Sequence, residues 1–347
     1  MRVDYIIIGL GLAGIAFAEQ LRKHHKSFVV YEDNSQNSSL VAGGMYNPVV
    51  LKRFTPVWNA KEQLEVALPY YKLLEKTLDG IYNHQVDIHR VFKSIEEQNN
   101  WFTACDKILL QDYMVPKIIK NENKCIHTPF ESGKLIHTGR IAVKKLAMDY
   151  RTLLKNENVL KEEKFHHDKI LTFDNHMVYN GLKTNKIVFC EGYGVKDNPF
   201  FNNLPMREAK GELITIHAPE LKVDYLIKSA IFILPLGNDM YKVGATFNWT
   251  DKTKTPTLDG KNELELKLKS VINCNYKIID HSAGIRPTIK DRRPLVGTHR
   301  ANNKLAILNG LGTRGVMIAP LMAKKLYRHI ENNVPLDKEI SIDRFMN

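Results

Sequence analysis

The sequence predicts an α/β fold, α+β overall, that combines a doubly wound parallel sheet with a second sheet of mostly antiparallel strands. Two observations lead to this prediction. Short continuous apolar runs occur near the start, the middle and the end of the chain, and such runs are typical of strands buried on both faces of a parallel sheet. Between them lie alternating segments separated by turn residues, which are typical of antiparallel strands.

The first elements form a βαβ unit. The apolar run Tyr5–Ile8 stops at a glycine and predicts a buried strand. Apolar residues then recur at helical spacing from Leu12 to Leu21, and the basic residues that follow suit the C-terminal end of a helix. Phe28–Tyr31 is a second apolar run and predicts the next strand.

The remaining elements follow from the same two periodicities. Helical spacing predicts helices at about residues 60–78, with a kink at Pro69, and at about 141–154, 262–272 and 316–330. Strand patterns predict strands at about residues 86–92, 186–190, 212–217, 231–235, 240–247 and 305–309. Residues 250–260 predict a polar loop.

A glycine motif lies between the first predicted strand and the first predicted helix. Gly9, Gly11 and Gly14, with Leu12 and Ala13 between the last two, form a GxGxxG sequence. In this context the first glycine permits a tight turn, the second lets the backbone approach a pyrophosphate, and the third allows the helix to pack closely on the strand. The helix N-terminus attracts the phosphate charge. The motif therefore predicts a Rossmann-type dinucleotide site.

Two acidic residues complete this unit. Glu32 ends the second predicted strand, about 20 residues after the motif, where a carboxylate accepts hydrogen bonds from ribose hydroxyls. Asp33 follows it, and we expect both to contact the cofactor. The motif by itself does not distinguish NAD from FAD.

Four further segments decide between these cofactors: Ser39–Gly44, Phe189–Gly192, Ala283–Pro287 and Asn309–Gly315. With them, nearly the whole chain resembles the FAD-dependent D-amino-acid oxidase superfamily, and glycine oxidase and sarcosine oxidase in particular. Other segments match that family in the same order, namely Pro205, Lys210–Glu212, Ile233–Pro235, Val243–Thr246, Asp291 and Pro294–Gly297.

The resemblance implies an FAD site and a division into two discontinuous domains. The FAD-binding domain would comprise residues 1–50, 138–208 and 280–340, and the substrate domain residues 51–137 and 209–279. Besides the residues of the first βαβ unit, the implied FAD contacts are Ser39, Gly43, Gly44, Gly192, Gly312, Thr313, Arg314, Gly315 and Val316. Sarcosine oxidase-like relatives hold the flavin through a cysteine after the Arg-Pro segment, and no cysteine follows Pro287, so we expect noncovalent FAD.

The resemblance also implies an activity, the oxidation of an amine or amino acid such as glycine, sarcosine or a D-amino acid. Hydride passes from the carbon beside nitrogen to flavin N5, and the imine is then hydrolysed. Arg286 is the implied partner of the substrate carboxylate, since a guanidinium offers two parallel hydrogen bonds. Arg314 could reach the substrate or stabilise its own loop. Oxygen and a quinone remain alternative electron acceptors, and no histidine lies in a motif that would make it a base.

Two other functions stay open at this point. A formal net charge of +12 favours a tRNA substrate, as in oxidases of the same superfamily that act on a carboxymethyl group of a wobble uridine. We do not favour this reading, because the methyltransferase domain often fused to such enzymes is not seen and the charges are dispersed. The chain could also be a noncatalytic flavin-binding protein. Residues 45–58 match no substrate-defining pattern.

Composition supports a cytoplasmic enzyme without metal. The four cysteines lie far apart and show no zinc-ligand spacing. The apolar N-terminus does not fit a signal peptide, because Asp4 interrupts the basic region and glycines recur within the apolar run. No stretch reaches the roughly 20 apolar residues of a membrane span.

Overall fold

The computed structural model describes residues 2–345, which form seven α-helices and 21 strands. The helices are α1 (Leu12–Lys23), α2 (Ser38–Val41), α3 (Ala60–Thr77), α4 (Ile95–Cys105), α5 (Val143–Asn156), α6 (Leu258–Lys269) and α7 (Gly315–Asn332). Short 3₁₀ turns lie at His167–Lys169, Gly192–Asp197, Gly312–Arg314 and Ile342–Phe345.

The strands in chain order are β1 (Arg2–Ile8), β2 (Phe28–Tyr31), β3 (Met45–Tyr46), β4 (Val49–Val50), β5 (Thr55–Pro56), β6 (Asn83–Gln85), β7 (Ile88–Val91), β8 (Met114–Ile119), β9 (Ser132–Leu135), β10 (Gly139–Ile141), β11 (Leu160–Lys161), β12 (Leu171–Thr172), β13 (Met177–Tyr179), β14 (Leu182–Phe189), β15 (Ala209–His217), β16 (Leu226–Lys228), β17 (Phe232–Gly237), β18 (Met240–Gly244), β19 (Lys277–Arg286), β20 (Leu295–Thr298) and β21 (Leu305–Asn309).

The first sheet is built around five parallel strands in the order β11, β2, β1, β14, β21. Antiparallel strands β13, β12 and β20 extend it. Alternate side chains of β1 enter two cores. Tyr5 and Ile7 pack with helices α1, α3, α5 and α7, whereas Ile6 and Ile8 pack with aromatic residues of the opposite face. Burial on both faces explains why these strands are continuous apolar runs.

The second sheet has the order β19, β15, β18, β17, β16, β7, β9, β8 and is antiparallel except between β16 and β7. Its strands β15, β18 and β17 are antiparallel neighbours, and β17 and β18 form a hairpin with Gly237 in a left-handed conformation at the turn. The predicted α/β fold, with one mainly parallel and one mainly antiparallel sheet, is confirmed by this arrangement.

Helix α3 includes Pro69 and is one element. Two local predictions differ from the structure. Helix α6 begins at Leu258, inside the predicted polar loop, because the Thr257 side chain accepts a hydrogen bond from the Gly260 N–H and caps the first turn. Helix α4 was not predicted at all.

One predicted domain boundary falls inside a strand. Residue 280 lies within β19, which pairs along its length with β15 of the second sheet. Since a continuous ladder joins these strands, we propose that the substrate domain extends through Arg286, and the other boundaries stay as predicted. Among residues 2–345, no helix is long and apolar enough to cross a membrane.

Candidate active site

A cleft of about 1160 Å³ lies where the carboxyl ends of four neighbouring parallel strands, β2, β1, β14 and β21, face the second sheet. Ligands of α/β proteins bind at this edge, beside the strands where the order of the chain reverses. The volume exceeds the roughly 300–1,000 Å³ usual for drug-sized ligands, so the cleft has room for a dinucleotide. All of the predicted site residues except Gly14 line it.

The glycine motif forms the turn after β1. Gly9 has φ +96°, and a Cβ there would lie 2.6 Å from the Cys190 carbonyl oxygen of the neighbouring strand end. A Cβ on Gly14 would lie 2.0 Å from the Gly9 carbonyl oxygen. Gly14 therefore allows helix α1 to pack against the turn and stands behind the cleft wall, whereas it was predicted together with the contact residues.

The N-terminal end of helix α1 opens onto the cleft at Gly11. The N–H groups of a first helical turn have no acceptor within the helix. Here the Leu12 N–H lies 3.3 Å from Ser39 Oγ. A Cβ on Gly11 would meet that same oxygen at 3.2 Å and would otherwise stand in the cleft. Backbone donors, a helix dipole and the missing side chain together form a cradle that fits a phosphate group.

Glu32 lies at the end of β2, beside this cradle. Its carboxylate accepts hydrogen bonds from the N–H groups of Leu10 and Asn34, each at 2.6 Å. These bonds hold the carboxylate against the cleft while each oxygen keeps a further lone pair for a ligand hydroxyl. Asp33 lines the cleft next to it and accepts from the Ser35 N–H at 2.8 Å.

The remaining predicted cofactor contacts come from loops at the same edge. Gly44 has φ +70°, and a Cβ there would lie 2.0 Å from the Ile141 carbonyl oxygen. Gly192 and Gly312 also have positive φ, and the carbonyl of Gly192 accepts from Asn309 Nδ2 at 2.9 Å. The 3₁₀ turn that contains Gly312 leads directly into helix α7. A second helix N-terminus thus borders the cleft, with its partial positive charge.

Arg286 is the last residue of β19, and its guanidinium lies in the cleft wall. Its Cζ is 4.2 Å from the centroid of the Phe247 ring, and Nη1 donates to the Thr246 carbonyl at 3.3 Å. Within residues 2–345, no carboxylate lies at ion-pair distance from this side chain. Burial lowers the pKa of Arg286 to about 10, which keeps it charged at neutral pH. A partly desolvated charge without a carboxylate partner suits an anionic ligand.

Arg314 is a second half-buried guanidinium on the cleft wall, in the turn before α7. Burial lowers its pKa, and the nearby positive charge of Arg292 lowers it further. Arg286 and Arg314, the two arginines singled out from the sequence, thus line the same cleft, and their roles stay predictions.

Gly211 makes room for Arg286. A Cβ at this position would lie 2.0 to 2.3 Å from three guanidinium atoms. We expect Gly211→Ala to fold and to retain FAD, because the displaced group is the end of a flexible side chain, and to lower kcat/KM because Arg286 must move. The loss should be roughly 10- to 100-fold, as for a misplaced binding group. Steady-state kinetics with flavin content checked would measure it, and unchanged kcat/KM would show that the position of Arg286 is unimportant.

Several lining residues were not predicted, notably Lys228 and Phe232 of the second sheet, Phe247 in the segment after β18, and Cys190 directly after β14. The period-two alternation of these strands could have placed the aromatic rings on one face. Burial raises the pKa of the Cys190 thiol, so it is neutral and unreactive.

The sequence and the fold of this chain are similar to those of known proteins. The sequence model of the family described as DAO, FAD dependent oxidoreductase, matches residues 4–328. Glycine oxidase of Bacillus subtilis is 22% identical over 98% of this chain and 95% of its own length. The tRNA 5-methylaminomethyl-2-thiouridine biosynthesis bifunctional protein of Marinobacter nauticus is 22% identical over 92% of this chain, which spans 54% of that protein.

A solved structure shows the same fold. Glycine oxidase from Geobacillus kaustophilus aligns with a TM-score of 0.81 over 97% of each chain, at 18% sequence identity. The resemblance drawn from the sequence segments is thereby confirmed. With a family match over most of its length, this chain belongs to the family of FAD-dependent oxidoreductases.

Proposed function

We propose that this protein oxidises an amine that carries a carboxylate, such as glycine, sarcosine or a D-amino acid. The main support is Arg286, a half-buried charge in the cleft wall without a carboxylate partner among residues 2–345. The guanidinium would bind the substrate carboxylate through two parallel hydrogen bonds and so fix the orientation of the carbon beside nitrogen. FAD, when bound, supplies the acceptor for the hydride that leaves this carbon.

The cofactor would be held without a covalent bond. Cys190 is the cleft-lining cysteine among residues 2–345, and its thiol is neutral and unsuited to attack a flavin. The cradle at Gly11, the carboxylate of Glu32 and the N-terminus of α7 would hold the pyrophosphate, the ribose and the flavin end by the contacts described above.

Product analysis tests the substrate class. We expect the holoenzyme to form a carbonyl product from glycine or sarcosine, but little from methylamine, which lacks the carboxylate, or from glycolate, which lacks the nitrogen. Carbonyl products would be trapped with a hydrazine and quantified. Turnover of glycolate in preference to glycine would contradict the assignment to amine donors.

A tRNA substrate is the second candidate. Phe247 lines the cleft and is 57% exposed. Trp249 is 49% exposed, with its ring centroid 6.4 Å from that of Phe247 and 5.1 Å from the Arg207 guanidinium. Exposed aromatic rings beside arginine suit the stacking of unpaired bases. The name of the Marinobacter nauticus relative also refers to tRNA modification. The chemistry, oxidation of an amine with a carboxylate, would be the same.

A further inference from the structure

Lys228 is a charged residue of the cleft for which the proposed reaction gives no role. It is the last residue of β16, and it pairs in register with Phe232 of β17. The Phe232 ring lies beside Gly43 and Gly244, which line the same cleft: a Cβ on either glycine would lie 3.5 or 3.0 Å from that ring. Lys228 therefore lies on the substrate-domain wall, on a strand well separated from Arg286.

Among residues 2–345, the ammonium group of Lys228 forms no ion pair and donates no hydrogen bond. Glu263, which also lines the cleft, binds Lys267, and Glu97 binds Arg90. Burial, together with the positive charges of Arg90, Lys93 and Lys267, lowers the pKa of Lys228 to about 8. An unpartnered, partly desolvated cation among other cations is unfavourable until an anion binds beside it.

The sheet geometry sets the distance to Arg286. Across the sheet, four strand-to-strand steps separate β19, which ends at Arg286, from β16, which ends at Lys228. Along the strands, Lys228 is in register with Leu213 of β15. Arg286 pairs with Ala209 of β15, four residues from Leu213. With strands about 4.8 Å apart and about 3.3 Å per residue, the two Cα atoms are on the order of 20 Å apart. The two side chains shorten this gap, yet a ligand that contacts both must be extended.

We propose that Lys228 binds a second anionic group, a carboxylate or a phosphate, at the far end of an extended amine substrate whose first carboxylate lies at Arg286. This inference rests on the proposed function. It names the preferred substrate more closely: an N-substituted amino acid with an anion several bonds beyond the nitrogen, which should bind more tightly than free glycine.

A length series of ligands tests this. Holoenzyme would be titrated with N-alkylglycines of increasing chain length that end in a methyl group, a carboxylate or a phosphate, and anaerobic flavin reduction would be followed. Parallel titrations would use thioether analogues, with sulfur in place of nitrogen, and would follow the flavin absorbance. Because the thioethers report binding without oxidation, a failure of the amine-oxidation proposal remains distinguishable from a failure of this one.

We expect the anionic end to strengthen binding by roughly 10- to 100-fold, the usual range for a hydrogen bond to a charged group, and only beyond a threshold length. Lys228→Gln should abolish this gain, leave the methyl-terminated series nearly unchanged and retain FAD, whereas Lys228→Arg should keep most of the gain. Lys269→Gln removes an exposed charge of α6 that does not line the cleft and serves as the control. The carboxylate and phosphate arms show which anion is preferred.

Three results would overturn the proposal. The first is wild-type protein that gains nothing from an anionic end at any length. The second is Lys228→Gln protein that keeps the gain. The third is a Lys228→Gln variant that folds, as judged by circular dichroism, but binds FAD much more weakly, which would assign the lysine to the cofactor.

Discussion

Arg286→Lys should lower kcat/KM for the best amino-acid substrate by roughly 30-fold to several thousand-fold, which corresponds to about 2–5 kcal/mol for a desolvated charged pair. Lysine keeps the charge but loses the fork that binds both carboxylate oxygens. It also lacks the planar group that lies 4.2 Å from the Phe247 ring centroid. FAD content and thermal stability should change little, because the described contacts of Arg286 are to this ring and to backbone carbonyls.

The measurement is anaerobic flavin reduction in wild type and variant, with flavin content determined in each. Arg300→Lys provides a matched control, since Arg300 is exposed and lies 3.4 Å from Asp343 at the surface. Equal rates for wild type and Arg286→Lys would remove the carboxylate role and leave Arg286 as a structural residue.

Gly11→Val should abolish FAD retention. The first atom of the new side chain would already meet Ser39 Oγ at 3.2 Å, and its methyl groups would occupy the cradle at the N-terminus of α1. Gly11→Ala adds only that first atom and should show a partial loss. Wild-type protein should be purified yellow and should release intact FAD on heating, since we expect no covalent bond.

Flavin content after gel filtration, with circular dichroism to confirm the fold, measures both effects. Full flavin retention in Gly11→Val protein would place the pyrophosphate elsewhere. Flavin that stays with the precipitated wild-type protein would contradict noncovalent binding.

The strands of the first sheet could be predicted closely from the sequence. Phe28–Tyr31 and the strand at residues 305–309 have the predicted bounds. A strand buried on both faces needs a continuous apolar run, and the polar or glycine residues on either side of that run mark where the strand begins and ends. Helix α4 was missed although its start carries a recognisable signal. Ser94 accepts a hydrogen bond from the Glu97 N–H, and Ser-x-x-Glu is the sequence of a capping box. Few apolar residues follow it, so its periodicity is weak.

The positions of site residues could be predicted where a sequence motif follows a strand of the first sheet. They could not be predicted where they depend on how the strands of the second sheet pair. Gly9, Gly11 and Glu32 follow consecutive strands, so their positions come from the βαβ unit alone. The surroundings of Arg286 depend on the pairing of β19 with β15, which places Gly211 beneath it. Lys228 is an isolated lysine at a strand end, a pattern typical of a solvated surface, and only the tertiary packing brings it to the cleft.

The most direct test of the central claim is an anaerobic titration of the FAD-loaded protein with glycine, sarcosine, D-amino acids and L-proline, followed by the visible absorbance of the flavin. We predict that at least one of these amines bleaches the flavin in the wild type, and far more slowly in Arg286→Lys. Reduction only by a tRNA that carries a carboxymethylaminomethyl uridine would favour the second candidate. A flavin that stays oxidised with every one of these amines would contradict the proposal that this enzyme oxidises small amino acids.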